Sequence, residues 1–384
     1  MPIDTQLALK LLEELVAIES VNSSLVPGAL GEQHASEHVQ KFLRAHGIAA
    51  ELEDAAPHRP NVIARIGPHN VQPALMLVAH IDTVGASDMP DPFMPRIRDG
   101  RMYGRGALDI KSGVAAMCSA AVALVEESVP LVRAFTIATV VDEECNSLGT
   151  QTLLQHGYGA EAAVVLEPTN LQLVVAHKGY AWFEIVTHGR AAHGSLPGEG
   201  RDAIRMMGRV LGALDELEKN LASRPPHARL GNASLHASLI SGGQELSSYP
   251  AECRLQLERR MVPGETEASV EAELRAMLAQ LENQNPQFRS SLRAGLGSRP
   301  AYEIAEASPL VARASAAIHR VCGVCELAGM AAWTDTALLA AMGIPGVVFG
   351  PTGRGLHGAD EYVEIDSVAK CAAALREIIL EFCA

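Results

Sequence analysis

Residues 74–84 read ALMLVAHIDTV. The apolar run Leu75–Ala79 passes straight into His80, Ile81 and Asp82, and a short apolar run bounded by polar residues reads as a strand buried on both faces, the kind found in parallel sheets. Side chains alternate along a strand, so His80 and Asp82 point to the same side just where the strand emerges. A histidine and a carboxylate at that spacing form a metal ligand with its orienting partner, or half of an acid–base pair. A plain surface His–Asp pair fits the same three residues. What separates these readings is that three later strands end in the same way.

The segment AFTIATVV (134–141) runs into Asp142, Glu143 and Glu144, AAVVLEPT (162–169) ends at Glu167, and IPGVVFG (344–350) leads toward His357. GRGALDIKSG (104–113) places Asp109 just ahead of a helix beginning near Ser112. Between these strands lie helical patterns at 5–17, 34–47, 113–127, 149–157, 308–322 and 366–382, and a Pro/Asp/Gly-rich irregular stretch over 85–106. Strands alternating with helices define an α/β domain with a mixed, mostly parallel sheet. After Lys178 the rhythm changes to β-α-β-β-α-β, a ferredoxin-like α+β unit. The expected organisation is a catalytic α/β domain over 1–178 and 293–384, interrupted by an inserted domain over 179–292.

A chain of 384 residues is long enough for two cores. Its 45 acidic against 31 basic residues give a net charge of -14, which disfavours a nucleic acid or an anionic membrane as partner. Seven scattered cysteines suit a reduced cytoplasmic protein, and the lone pair Cys322–Cys325 lacks the second pair of a structural zinc site. The N-terminal segment is an amphipathic helix with charges throughout, unlike a signal peptide, and no apolar run of about 18 residues is expected to cross a membrane.

In open α/β sheets, sites lie outside the carboxyl ends of the strands. His80, Asp82, Asp109, Glu143, Glu144, Glu167 and His357 all fall there, and two imidazoles with several carboxylates form a donor set for divalent metal. That many carboxylates in one cleft repel one another unless cations neutralise them. The set is large enough for two ions sharing one carboxylate, with another left over as general base. Competing motifs are poor: GRGALDIKSG lacks the third glycine of a dinucleotide loop, and neither a phosphate loop nor a G-x-S-x-G elbow occurs.

Together, AHIDTV, GRGALDIKSG, VVDEE, LEPTNLQLVVAHKG, AAHGSLP, ERRMVPGE and GPTGRGLHGADEYV resemble, in order, the acetylornithine deacetylase / succinyl-diaminopimelate desuccinylase / carboxypeptidase G family of di-zinc amidohydrolases and exopeptidases. The resemblance runs from about residue 10 to the C-terminal end. It implies that His80, Asp109 and Glu167 hold one metal, that Asp109 bridges to a second held by Glu144 and His357, and that Glu143 is the general base. Asp82 then orients His80. The metals implied are zinc, with cobalt as an alternative. The inserted domain is implied to act as lid and homodimer interface, with His193 stabilising the oxyanion and Arg260 pairing with a substrate carboxylate. Ser247 stands where many members carry a substrate-contacting asparagine, and AWTDTALL replaces the usual Gly-Gly-Thr-Asp segment.

The implied activity is hydrolysis of the amide bond of an N-acyl amino acid or small peptide. The EPTNLQLVVAHKG and REIILEFC segments look most like the acetylornithine deacetylase branch, which points to N-acetyl-L-ornithine; desuccinylase and carboxypeptidase or aminoacylase activities are the alternatives within the family. From another class, a non-catalytic α/β binding protein would use the same cleft.

Overall fold

The opening stretch forms the strand Leu75–His80, buried along its whole length. The computed structural model describes residues 4–69, 71–86 and 88–384, and divides the chain into two units. In the first, the sheet order is Ala50–Ala56, Arg59–Ile66, Phe135–Val140, Leu75–His80, Ala162–Val165, Gly346–Val348 and Leu173–His177. The strands 135–140, 75–80, 162–165 and 346–348 run parallel; the flanking ones are antiparallel. The sheet is therefore mixed with a parallel centre, and those four strands point their carboxyl ends the same way. Pro60 lies inside the strand Arg59–Ile66.

Helices Thr5–Ala17, Ser112–Glu126, Pro309–Cys322 and Ile365–Cys383 pack on one another. The segment Ala107–Glu126 is long and apolar enough by composition to cross a membrane, so an apolar stretch of that length is present after all. Its residues are instead buried inside the fold, because the helix is enclosed by protein on nearly every side.

The 85–106 stretch is less irregular than its composition suggests. Arg96–Arg98 and Arg101–Tyr103 form a small antiparallel sheet with Tyr362–Glu364 and Gly353–Arg354. These strands have two or three residues each, too short for a periodic pattern; two pairings are local hairpins, and the one that joins them, Tyr103 with Tyr362, links residues about 260 apart in sequence. The pairing of Tyr103 with Tyr362 brings the segment carrying Asp109 beside the loop carrying His357.

The second unit comprises Ala176–Glu303 and Gly329–Trp333. Its sheet order, Ser234–Gly242, Glu252–Met261, Gly179–His188, Ser290–Arg293, is antiparallel throughout. With helices Ala203–Ser223 and Glu267–Gln284 this is the split βαβ topology. Met206 and Met207 belong to its core, beside Phe183, Leu255 and Phe288. The unit extends past the expected 179–292 because Ser298–Arg299 adds to the 179–188 strand, and because Trp333 joins it through its indole N–H, which donates to the Pro300 carbonyl (3.2 Å).

Leu77 is fully buried between Ile137 and Val164 on the neighbouring strands. Leu77→Ala is expected to lower unfolding free energy by about 2–5 kcal/mol in a denaturant titration. A loss below about 1 kcal/mol would contradict the placement of this strand at the core.

Candidate active site

The parallel strand ends deliver the acidic and imidazole side chains to one place. Ile81 N–H donates to the Val140 carbonyl and Leu166 N–H to that of Val78, so the three neighbouring chains leave the sheet in step. His80, Asp82, Asp109, Glu143, Glu144, Glu167 and His357 gather there, all within the first unit. Ligand atoms of His80, Asp109 and Glu144 lie within 4.8 Å of one another, as do those of His80, Glu143 and Glu167.

The orientation of each imidazole is set. His80 Nδ1 lies 3.0 Å from the Asp82 carbonyl and 3.5 Å from its carboxylate, which leaves Nε2 turned to Asp109 Oδ1 (3.1 Å) and Glu167 Oε1 (3.9 Å). His357, in the left-handed region with φ 60°, turns its Nε2 to Asp109 Oδ2 (3.3 Å) and Glu144 Oε2 (3.2 Å). The two oxygens of Asp109 thus face different imidazoles. A tetrahedral ion bonded at about 2.0–2.1 Å keeps its ligand atoms roughly 3.3 Å apart, close to these separations. Among the described residues Glu144 Oε1 is buried without a hydrogen-bond partner, an orphaned acceptor that a cation would satisfy. The residues fit a divalent metal site.

Asp82 does more than face His80. Its carboxylate accepts the backbone N–H groups of Glu143 (3.1 Å) and Glu144 (3.2 Å) and the Asn22 amide (2.8 Å). One buried carboxylate therefore fixes an imidazole and the turn that presents two glutamates. That turn begins at Asp142, whose φ of 67° is unfavourable for a residue with a Cβ. Asp142 is held by the buried Arg59 guanidinium (2.9 Å) and by Asn22 (3.1 Å), and Arg59 is itself paired with buried Glu32. Behind Asp109, buried Lys111 donates to the carbonyls of Leu15 and Ile18 at the end of the first helix. Glycine is required at 350, where a Cβ would stand 2.2 Å from the Glu167 carbonyl.

Sequence reasoning did not find Asn22, Glu32, Arg59, Asp142, Arg105, Lys111 or Glu361. Asp142 and Glu361 sit within four residues of expected ligands and carry that much signal. Asn22 and Arg59 carry none, since their partners are remote in the chain. Asp335, also missed, is buried and accepts from the Thr150 hydroxyl, and its Oδ1 has no hydrogen-bond partner among the described residues.

The other expected residues lie on the inserted unit. His193 is exposed, with Nδ1 2.7 Å from the Ser195 hydroxyl, and the Ser247 carbonyl accepts the Gly194 N–H (2.7 Å). Arg260 bonds Glu258 (2.6 Å) and lies over the Tyr180 ring at 5.5 Å. Trp333 meets Tyr180 and His177 edge-on, with the Arg299 guanidinium over its face. His177 is a core histidine, its pKa pushed down to about 4 by burial. Cys322 and Cys325 stand as free thiols.

The charge balance of the site follows from burial. Desolvation, reinforced by the charge on Glu167, holds the Glu143 carboxyl well above the usual range, and desolvation does the same to Glu167. Desolvation and the neighbouring Asp109 raise Glu144. Burial alone would lower His80, but the Glu167 charge and the bonds to Asp109 and Asp82 outweigh it and raise its pKa well above 6.5. Hydrogen bonds that His357 donates to Asp109 and Glu144 push its pKa up to about 10. Asp109 is held low by both imidazoles, against desolvation that opposes this.

Against known proteins, the chain belongs to Peptidase family M20/M25/M40, whose profile matches residues 76–381. It is thus a hydrolase of the class that contains metallopeptidases and amidohydrolases. It is 30% identical to an acetylornithine deacetylase of Myxococcus xanthus over 367 residues, covering 90% of this chain and 91% of that one. It is 25% identical to the N-formyl-4-amino-5-aminomethyl-2-methylpyrimidine deformylase of Bacillus subtilis, covering 97% and 95%. Among solved structures, a tripeptidase of Staphylococcus aureus superposes with a TM-score of 0.81 at 20% identity, covering 99% of this chain and 98% of that one.

The raised groups fix the sign of a pH effect. His80, His357, Glu143, Glu144 and Glu167 all keep protons to higher pH in the metal-free protein than free side chains do. A divalent ion must displace those protons, so affinity is expected to rise from about pH 6 to about pH 8 with proton release. Zinc titration calorimetry in buffers of different ionisation enthalpy reads the release. Binding without proton release, and flat across that range, would contradict this electrostatic picture.

Proposed function

We propose that the protein is a two-metal amide hydrolase of N-acyl amino acids, with N-acetyl-L-ornithine as substrate and zinc as the metal, cobalt being able to replace it. The observation that carries the two-metal reading is the placement of Asp109, with Oδ1 toward His80 and Oδ2 toward His357. His80, Glu167 and Asp109 would hold one ion, and Glu144, His357 and the same Asp109 the other. Ions in these positions supply Lewis acidity toward the substrate carbonyl and acidify the attacking water.

Glu143 is left off both sets, a partly buried carboxylate whose oxygen lies within 4.8 Å of ligand atoms of His80 and Glu167. A carboxylate so placed suits a general base toward a water held between the ions. Glu143 takes a proton from water as the water oxygen bonds the acyl carbon, and returns it to the amine nitrogen as the C–N bond breaks. The products are the carboxylic acid and the amine, and the acid's proton then passes to the amine to give a carboxylate and an ammonium group. Asp82 keeps His80 and the Glu143–Glu144 turn in place. His193 stabilises the oxyanion, and Arg260, with a planar guanidinium suited to a carboxylate, receives that of the substrate. Ser247 takes the place of a substrate-contacting asparagine.

The substrate assignment rests on the deacetylase relative at 30% identity and on the segments resembling that branch. A homodimer through the inserted unit belongs to the same reading. Its edge strand Ser234–Gly242 exposes Leu239 and Ile240, the kind of open edge that a second copy covers. The free cysteines suit a cytoplasmic enzyme.

Two measurements test the reading. Glu143→Gln is expected to cut turnover by about 10²–10⁴-fold with metal content unchanged. Amine release is expected to be fastest from N-acetylornithine in a panel with N-succinyl-diaminopimelate, N-formyl aminopyrimidines, other N-acyl amino acids and dipeptides. A faster rival would replace the substrate assignment. No turnover of any member with zinc or cobalt present would overturn the catalytic reading in favour of a binding protein.

A further inference from the structure

Glu361 is a buried carboxylate outside both ligand sets. Its Oε1 accepts the backbone N–H groups of Leu108 (2.9 Å) and Asp109 (3.1 Å), and its Oε2 accepts that of Gly106 (3.1 Å) and the Arg105 guanidinium (2.7 Å). Its own carbonyl accepts the Gly104 N–H (3.3 Å), and Arg105 also reaches the His357 carbonyl (3.3 Å). One side chain therefore ties the 104–111 segment, which carries the carboxylate facing both imidazoles, to the loop that carries the second imidazole.

The two ligand sets depend on this tie unequally. His80 and Glu167 leave adjacent parallel strands of the main sheet, and hydrogen bonds of that sheet hold them. His357 lies in a loop between two-residue and three-residue strands, at positive φ, with the Arg105 contact to its carbonyl fixing it from below. We propose that Glu361, through Arg105, is the positioning residue that sets the spacing of Asp109 and His357 and thereby the occupancy of the second metal position. Glu361 touches neither metal nor substrate in this account. The inference rests on the two-metal reading above.

The test is zinc titration of metal-stripped protein, followed by calorimetry and by elemental analysis, for the parent, Glu361→Gln and Glu361→Asp. The amide keeps one acceptor but turns a donor toward Arg105 and Gly106. The shorter acid keeps the charge but cannot span the same four donors. Because Asp109 belongs to both sets, both variants are expected to weaken the first zinc only slightly, and the second, which also loses the placement of His357, about 10–100-fold. Turnover at limiting zinc should fall through kcat, with KM little changed, and return at high zinc. Parental binding of both ions in the variants would overturn the proposal. So would equal weakening of both ions, or loss of fold in both variants, since either makes Glu361 a general structural residue. A parent that binds fewer than two ions would overturn the two-metal reading itself, and this inference with it.

Discussion

The constraint on which the structure turns is the repulsion among carboxylates gathered at the parallel strand ends. Glu143, Glu144, Glu167, Asp82 and Asp109 surround two imidazoles in a largely buried space. Burying like charges side by side costs several kcal/mol per ion unless opposite charge is supplied. Without an added cation the site compensates with protons, which is why the three glutamates and both histidines hold theirs to higher pH. Divalent cations would replace those protons, and the ligand set is arranged for the replacement.

Holding such a cluster together requires rigid support, and much of it is charged. Arg59 with Glu32 and Asp142 stabilises a backbone turn that no local preference favours. Arg105 with Glu361 fixes the segment of Asp109, and Lys111 anchors its far end to the first helix. Each is a buried charge paired or hydrogen-bonded in full view of its neighbours, and removing one partner leaves the other stranded at a cost of about 3–5 kcal/mol. The price is reasonable where geometry decides reactivity, because effective catalysis needs its groups fixed to fractions of an ångström.

The parts of this arrangement legible in the sequence share one property: they follow directly from a buried strand. His80, Glu143, Glu144 and Glu167 come one to four residues after apolar runs, so strand periodicity alone places them at a common edge. The inserted unit was legible for the same reason, its β-α-β-β-α-β order being written in local patterns. Asp109 and His357 were placed at the same edge by the loops that carry them, but their direct meeting was not legible, since what joins them is a sheet of very short strands. Asn22, Arg59 and Glu361 act on the site through contacts 60, 83 and 253 residues apart in sequence, beyond any periodicity. The 107–126 segment has membrane-like hydropathy although it is a core helix, because burial in protein and burial in lipid select the same side chains.

The central claim is that Asp109 lies between two metal ions. Anomalous diffraction from crystals grown with zinc, collected on both sides of the zinc absorption edge, tests it most directly. The expected result is two peaks, one within bonding distance of His80 and Glu167, the other of His357 and Glu144, with one oxygen of Asp109 on each. A single peak, or peaks that leave Asp109 unbound, would contradict it.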